Sequence, residues 1–583
     1  VIGLGLRWNP LLASEPVEGG TILNALLLCY LLPGLLAGLL AILARQVRPV
    51  WYWGGAGAIS LAFCIGYLIM QTRVLFHGQT IALDRGASLA ELGLDTTFCL
   101  LVSAGIASAS GGGASAFRRG ALIAVGALGA IIAVLGLGLV HNPLLRAEIV
   151  AGGTIFNTLI VGYLLPALAA GLLARAAAWA WPLYRQIAAA AAFILALLYL
   201  LLEVRLMFRG PVISLDRGGS LAELGIHTTI CLAVAAGIAA TMVRRATLLL
   251  NAVLIAVLVL AFFMFLGGPG LGYNPLLRLE PIAGGAIFNA LIPGYLLPAF
   301  AAAVLALIVR SLGEVYGRIA AAVSSVLVLA YLVLEVRVLF HGTAIAIERG
   351  AGIAELGVDT AMFIVIAIAL IHVARMRESE LLLRGAMAVG ALALVVAAVG
   401  LGLFANPLFT GAEVAGNAVF NTLLVGYGLV AALAFVLARE ASRRNGLRPP
   451  PAFRVAASIA AIATLFVFVT LETRRVFQGE SIGFWLSTSE AEWYAYSAVW
   501  LVLGIALLAY GLWRRSITVR LASGLFIMAS VAKVFAFDLA GLEGILRATS
   551  FIGLGFALIG IGLAYQKLVF AKRDDKAERM VPR

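Results

Sequence analysis

Charged side chains recur in one short pattern, an acid or amide two residues before an arginine, each time where an apolar segment ends. The copies are Gln71 with Arg73, Glu203 with Arg205, Glu335 with Arg337, and Glu472 with Arg474. Ionised groups at such a position need partners or water. Two interpretations stay open: the arginine binds loop carbonyls while the glutamate balances its charge, or the copies form a row of polar binding sites.

Each arginine is followed by a Phe-x-Gly turn, whose glycine is predicted to end a helix in a left-handed cap. The middle residue of this turn is His77, Arg209, His341 or Gln478. Because arginine and glutamine cannot replace a histidine ligand, the sequence predicts no metal site here, and no cofactor. A second helix then begins with a glutamate after Ser-Leu-Ala or its variants, a capping-box pattern. These glutamates are Glu91, Glu223, Glu355 and Glu492.

Two asparagines also recur in every copy. One opens an Asn-Pro-Leu-Leu/Phe segment and occurs at Asn9, Asn142, Asn274 and Asn406. The other follows a Gly-Gly-x-x-x pattern, or Gly-Asn-x-x-x in the fourth copy, at the predicted start of an apolar span, and occurs at Asn24, Asn157, Asn289 and Asn421. An amide within a membrane must hydrogen-bond a neighbouring helix or a polar ligand. It is therefore predicted to join helices, or else to line a cavity.

The asparagine motifs repeat every 132 or 133 residues, and the charged motifs recur in the same order, so the sequence indicates four tandem copies of one segment. The predicted boundaries are residues 1–140 (with a truncated start), 141–272, 273–404 and a divergent fourth copy, 405–537. Residues 538–583 then form a last span and a basic tail. An even number of spans per repeat makes all copies parallel in topology.

The elements that carry these motifs are apolar helices. Of the 583 residues, 63% are hydrophobic and only 12% charged, too few for soluble domains. Stretches of about 20 apolar residues, long enough to cross a bilayer, recur along the whole chain. We predict an all-α, polytopic transmembrane protein of about 17 spans, with four helices in each repeat and one C-terminal helix.

Charge is distributed unevenly between the predicted sides of the membrane. We call side X the side with the Asn-Pro and Glu-x-Arg motifs, and side Y the other. Side Y holds 27 of the 41 basic and 7 of the 28 acidic residues, giving +20 there against −7 on X. The positive-inside rule predicts that Y, with the C-terminus, is cytoplasmic. The basic residues form short clusters without a continuous face, so nucleic-acid binding is not predicted.

The C-terminal region contains the block Lys-Val-Phe-x-x-Asp-Leu-x-Gly-Leu-x-x-x-x-Arg-x-x-Ser-Phe, from Lys533 to Phe551. This block resembles the DUF2339 family of predicted bacterial multi-pass membrane proteins. The resemblance implies a bacterial inner-membrane protein but no particular activity. Within the block, Lys533, Asp538, Glu543 and Arg547 are predicted to form ion pairs that fix the connection between the last two spans.

Three functions fit these observations. The first is a scaffold or accessory component of the cell envelope that presents its repeated motifs to a protein partner or a lipid-linked ligand, with membrane lipids around it. The second is a transporter or lipid flippase with a cavity open to X. The third is an envelope enzyme acting on a lipid-linked substrate through paired carboxylates such as Glu490 and Glu492.

Overall fold

The computed structural model describes residues 9–12, 16–110, 115–179, 181–443, 446–514, 517–534 and 545–566. Within these ranges the chain forms helices joined by short connections and contains no strand. The all-α class is therefore confirmed.

Fifteen helices of the described chain are long and apolar enough to cross a bilayer. They are α1 (Leu27–Ala44), α2 (Val50–His77), α3 (Leu89–Ser108), α4 (Ala116–Val140), α5 (Ile160–Trp179), α6 (Pro182–Arg209), α7 (Leu221–Arg244), α8 (Leu248–Gly270), α9 (Ile292–Val309), α10 (Glu314–His341), α11 (Ile353–Met376), α12 (Glu380–Thr410), α13 (Leu424–Ser442), α14 (Pro451–Gln478) and α15 (Glu490–Trp513). Two further helices, α16 (Ile517–Lys533) and α17 (Ile545–Tyr565), lie where the last two spans are predicted. A total of 17 spans stays a prediction.

The second helix of each repeat ends at the Phe-x-Gly turn, as its sequence predicts. Gly78, Gly210, Gly342 and Gly479 have φ of 72°, 71°, 69° and 80°. At Gly78, however, ψ is −148°, so the predicted left-handed cap is wrong in detail. The turn uses an extended conformation with positive φ, which only glycine readily adopts. The glycine thereby ends the helix and begins the connection to the third helix.

The start of the third helix follows the capping-box prediction in the first repeat. Ser88 Oγ accepts the Glu91 amide, and the Glu91 carboxylate accepts the Ser88 amide. In the second repeat only the serine half of the box forms, with Ser220. The Glu223 carboxylate is bound there by two arginines instead.

The Gly-Gly-x-x-x-Asn segment does not lie in a helix, which corrects the prediction that it belongs to the first span. Gly152 has φ of 113° and forms an isolated bridge with Asn157, and α5 begins only at Ile160. The same bridge joins Gly19 to Asn24, Gly284 to Asn289 and Gly416 to Asn421. The positive φ of the glycine breaks the helix and folds the segment into a tight loop. We call these four segments the X loops.

Contacts divide the chain into two compact units. The first comprises Val1–Asn274 with Ala290–Val328, and the second comprises Pro275–Asn289 with Leu329–Arg583. In the first unit, α3 packs on α4 and on α5, and α7 packs on α8 and on α9. In the second unit, α11 packs on α12 and on α13. The third helix of a repeat thus packs against the first helix of the next repeat, so packing runs across the sequence boundaries.

Glycines permit this close packing between repeats. A Cβ on Gly93 would lie 2.2 Å from the Val161 carbonyl oxygen, and one on Gly225 would lie 2.2 Å from that of Pro293. Small residues let membrane helices approach to backbone contact. A tyrosine adds a hydrogen bond at the same junction: Tyr163 Oη donates to the Leu137 carbonyl at 2.8 Å. Both residues lie in π-helical segments, Ile160–Leu164 and Ile132–Val140, where i→i+5 bonding displaces the backbone.

Candidate functional site

The arginine of the Glu-x-Arg motif organises the connection between the second and third helices. Arg205 donates from Nε to the Ile213 carbonyl at 2.6 Å and from Nη2 to the carbonyls of Ser214 and Gly218, at 2.7 and 2.8 Å. Its Nη1 binds Glu223 at 2.5 Å. One guanidinium therefore fixes the connection at three points and joins it to the next helix. We call this arrangement the connector clamp.

The connector clamp occurs in all four repeats, with the glutamate always 18 residues after the arginine. The other copies are Arg73 with Ile81, Ala82, Gly86 and Glu91; Arg337 with Ile345, Ala346, Gly350 and Glu355; and Arg474 with Ile482, Gly483, Leu486 and Glu492. The arginines are 5–7% exposed and the glutamates 0–2%. Ion pairs this deeply buried are held by the hydrogen bonds around them.

The middle residue of the Phe-x-Gly turn completes the clamp, a role that the sequence interpretation missed. His77 and His341 lie 2.8 Å from the second carboxylate oxygen of Glu91 and Glu355. Arg209 and Gln478 donate to the same oxygen of the corresponding glutamates, at 2.9 and 2.6 Å. The available signal was that all four side chains are nitrogen donors one helical turn after the clamp arginine, and so share its helix face.

The glutamate of Glu-x-Arg does not balance its neighbouring arginine, which corrects that part of the interpretation. Glu203 accepts hydrogen bonds from Asn157 Nδ2 at 3.0 and 3.1 Å, whereas Arg205 binds Glu223. The side chains two apart on a helix do not face each other, so the two groups find different partners. Equivalent amide contacts join Asn24 to Gln71, Asn289 to Glu335 and Asn421 to Glu472.

The X-loop asparagine thereby connects the start of one helix to the end of the next. Its Nδ2 bonds the second helix, and Asn157 Oδ1 accepts the Leu159 amide at 2.9 Å. Asn157 is 8% exposed. The position favours helix-to-helix attachment over the lining of a cavity.

The Asn-Pro asparagines end the preceding helix and begin the next turn. Asn142 Nδ2 donates to the Gly138 carbonyl at 3.0 Å, and Asn142 Oδ1 accepts the Leu144 amide at 2.9 Å. Asn406 forms the same two bonds, Asn274 forms the first with Gly270, and Asn9 forms the second with Leu11. These asparagine side chains therefore hydrogen-bond the nearby backbone and stabilise the turn.

Two backbone hydrogen bonds join the Asn-Pro turn and X loop to the clamped connection. In the second repeat, the Leu215 amide donates to Leu144 at 2.9 Å and the Val150 amide donates to Pro211 at 2.7 Å. The same two bonds occur in the other repeats. We call the assembly of Asn-Pro turn, X loop and connector clamp in each repeat an X cap.

Each X cap presents two apolar side chains at the tip of its loop. Ile155 and Phe156 are 67% and 83% exposed. The corresponding pairs are Ile22 with Leu23, Ile287 with Phe288, and Val419 with Phe420, all at least 63% exposed. The polar groups of the cap point inward while its tip is apolar, so the exposed chemistry of the repeat is hydrophobic.

The predicted ion pairs of the C-terminal block lie mostly outside the described residues. Asp538 and Glu543 are not among them, and Arg547 lies in α17 without a described side chain. Lys533 is 8% exposed; its Nζ donates to the Trp493 carbonyl and to Ser497 Oγ, both at 2.8 Å. It therefore attaches α16 to α15.

The arrangement offers little for catalysis. Glu492 is fully buried and accepts from Arg474, Gln478 and Tyr496, whereas Glu490 is exposed at the helix start. The two carboxylates thus lie in opposite environments. No group of three or more metal-ligating side chains occurs in the described part of the chain. The X caps have the properties of structural joints.

The described helices and their buried polar joints define a polytopic α-helical membrane protein. Residues 362–568 match the family model of DUF2339, described as "Predicted membrane protein". That portion of the chain, from within α11 onward, is similar to this family, which supports the resemblance of the C-terminal block. No curated protein and no solved structure matches the chain.

Proposed function

We propose that this protein is a membrane scaffold that presents four copies of one apolar docking surface on side X. The observation that carries the proposal is the contrast within each X cap. The repeated polar groups are bound to each other and buried, while the loop tip exposes an apolar pair. A repeated exposed apolar surface is typical of a binding surface.

The partner is either an envelope protein or a lipid-linked ligand on side X. We further propose that X is periplasmic, that Y and the C-terminus are cytoplasmic, and that the protein resides in a bacterial inner membrane. The support for this orientation is the basic excess on Y.

Photo-crosslinking from the loop tips tests the scaffold proposal. A benzophenone amino acid would replace Phe156, Phe288 or Phe420 in separate full-length variants, with Ile194 as a control on a lipid-facing helix. Ile194 is 60% exposed and lies within α6. The proposal predicts one common adduct from all three tips, absent at position 194. If the tip positions and position 194 all formed adducts with bulk phospholipid only, the scaffold proposal would be contradicted. The tips would then be interfacial anchors.

A transporter is the second candidate, and one observation favours it. Asp95 in α3 and Asp359 in α11 are buried, and each has a carboxylate oxygen without a hydrogen-bond partner in the described chain. Buried membrane carboxylates often couple transport to ions. The equivalent residues are His227 and Tyr496, however, so the group is not the same in every repeat. Uptake by reconstituted protein that Asp359→Asn abolishes would favour transport over the scaffold.

The enzyme hypothesis keeps the least support, because the carboxylates that motivated it do not face each other. Its test is the pair of variants Glu490→Gln and Glu492→Gln. The enzyme hypothesis would be supported if both variants folded normally and both lost a chemical activity of the unaltered protein.

A further inference from the structure

A large groove lies within the second unit, between helices of the divergent fourth repeat. Its volume is about 930 Å³, and it is bounded by residues of α13, α14, α15 and α16. The walls are mostly alanine, leucine and aromatic side chains, among them Phe435 and Phe468. A groove of this composition accepts an apolar ligand, and in a membrane the apolar ligands at hand are lipid chains.

The groove is long. Both Leu424 and Arg439 of α13 line it. They are 15 residues apart, which at 1.5 Å per residue corresponds to roughly 22 Å along the helix. One leaflet of the hydrocarbon core is about 15 Å deep, half of the whole core. The groove is thus deep enough to take a complete acyl chain from one leaflet.

One end of the groove is basic. Its charged lining residues are Arg439 of α13, Arg443 directly after α13, and Arg514 directly after α15, and no acid lines it. All three lie where their helices reach the connections on side Y. Arg443 also contacts Glu440, but Glu440 is bound by Arg375 as well, so its charge is already balanced. Neither Arg439 nor Arg514 forms an ion pair with a described residue. A forked guanidinium is well suited to bind a phosphate.

The pair of Arg439 and Arg443 occurs in the fourth repeat alone. At the positions equivalent to Arg439, the other repeats have Ile42, Arg175 and Leu307. At the positions equivalent to Arg443, they have Gln46, Trp179 and Ser311. Only the fourth repeat combines both arginines, so general attraction of basic residues to side Y does not explain the cluster.

We infer that this groove is a specific binding site for one anionic glycerophospholipid from the leaflet on side Y. Its acyl chain lies along the apolar wall, and its phosphate is bound by Arg439, Arg443 and Arg514. The charge at one end and the depth of the wall together select this class of ligand. A zwitterionic phospholipid would bring its own headgroup cation next to the three guanidiniums, and a free phosphate would leave the apolar wall empty.

Lipid analysis of the purified full-length protein tests the inference. The protein would be extracted from a membrane of known composition, washed in detergent, and examined by native mass spectrometry with quantification of the retained phospholipid. Arg439→Gln and Arg514→Gln should each lower the occupancy of anionic lipid about tenfold, since each removes one charge-assisted contact. Arg175→Gln, at the position equivalent to Arg439 in the second repeat, is the matched control and should retain full occupancy.

A wall variant separates lipid from phosphate. Ala432→Phe narrows the groove while keeping all three arginines, and it should displace the lipid without changing the thermal unfolding temperature. The inference is overturned if no phospholipid is retained by the unaltered protein. It is also overturned if the arginine variants lose anionic and zwitterionic phospholipid equally, or if Ala432→Phe leaves occupancy unchanged. Phosphate retained by Ala432→Phe without lipid would identify an inorganic anion as the ligand, and would likewise overturn it.

Discussion

At the scale of single residues, the clamp arginine forms more hydrogen bonds than the other polar side chains of the X cap. Arg337 satisfies three backbone carbonyls and one buried carboxylate. The Glu355 carboxylate has three hydrogen-bond partners: Arg337, His341 and the Gly352 amide. Removing the arginine leaves three carbonyls without their donor and a buried carboxylate without its cation, whereas Glu355→Gln leaves the guanidinium bound to its three carbonyls and to an amide oxygen.

This difference predicts a rank order of destabilisation. Arg337→Met should lower the free energy of unfolding by about 3–5 kcal/mol, and Glu355→Gln by about 1–2 kcal/mol. The measurement is denaturant unfolding of the purified protein in micelles. Arg349→Met is the control, since Arg349 lies in the same connection but is exposed. A value for Arg337→Met no larger than that of Arg349→Met would contradict the clamp.

The residue that completes the clamp should be interchangeable among nitrogen donors. The fourth repeat uses Gln478 where the third uses His341, so His341→Gln should leave stability nearly unchanged. His341→Leu removes the hydrogen bond to the Glu355 carboxylate and should cost about 1.5–3 kcal/mol. Gln478→His is the reciprocal control. Equal effects of Gln and Leu at position 341 would show that the donor contributes nothing.

At the scale of elements, sequence patterns predicted the helices better than the contacts between them. The first repeat contains four apolar helices, α1–α4, as predicted, because length and hydropathy alone decide such helices. The start of the first span was wrong, since a glycine of positive φ interrupts an otherwise apolar run at Gly19. The partner of Arg205 was also wrong. Proximity in sequence suggested Glu203, but the actual partner lies 18 residues on, across a turn whose path the sequence does not reveal.

The packing of consecutive repeats depends on glycines whose close contacts the sequence does not reveal. In α7, Gly225 meets the Pro293 carbonyl, whereas nothing lies within 4 Å of a Cβ built on Gly237. Gly225→Ala should therefore force α7 and α9 apart and lower the thermal unfolding temperature clearly, at a cost of about 1–3 kcal/mol. Gly237→Ala should be neutral or stabilise by up to about 1 kcal/mol, because alanine favours the helix. Matching losses in the two variants would show that the junction is not close-packed in the membrane.

At the scale of the whole molecule, the repeats connect local chemistry to orientation. A segment with an even number of spans would return the chain to the same side, so we predict that every copy of a motif faces the same way. On this prediction, the connections containing Arg85 and Arg217 both lie on side X, and Arg245, between α7 and α8, lies on side Y. The difference in charge between the sides agrees with this arrangement, since the connections on X hold most of the acidic residues.

Accessibility labelling of single cysteines tests this topology directly. The four native cysteines (Cys29, Cys64, Cys99 and Cys231) would first be replaced by alanine. Arg85→Cys and Arg217→Cys should then react with an impermeant maleimide from one side of the membrane, and Arg245→Cys only from the other or after permeabilisation. Arg85 and Arg217 are exposed in their connections, so lack of reaction cannot be ascribed to burial. Labelling of Arg85→Cys and Arg217→Cys from opposite sides would mean an odd number of crossings between them. The parallel arrangement, and with it a common docking surface on X, would then be wrong.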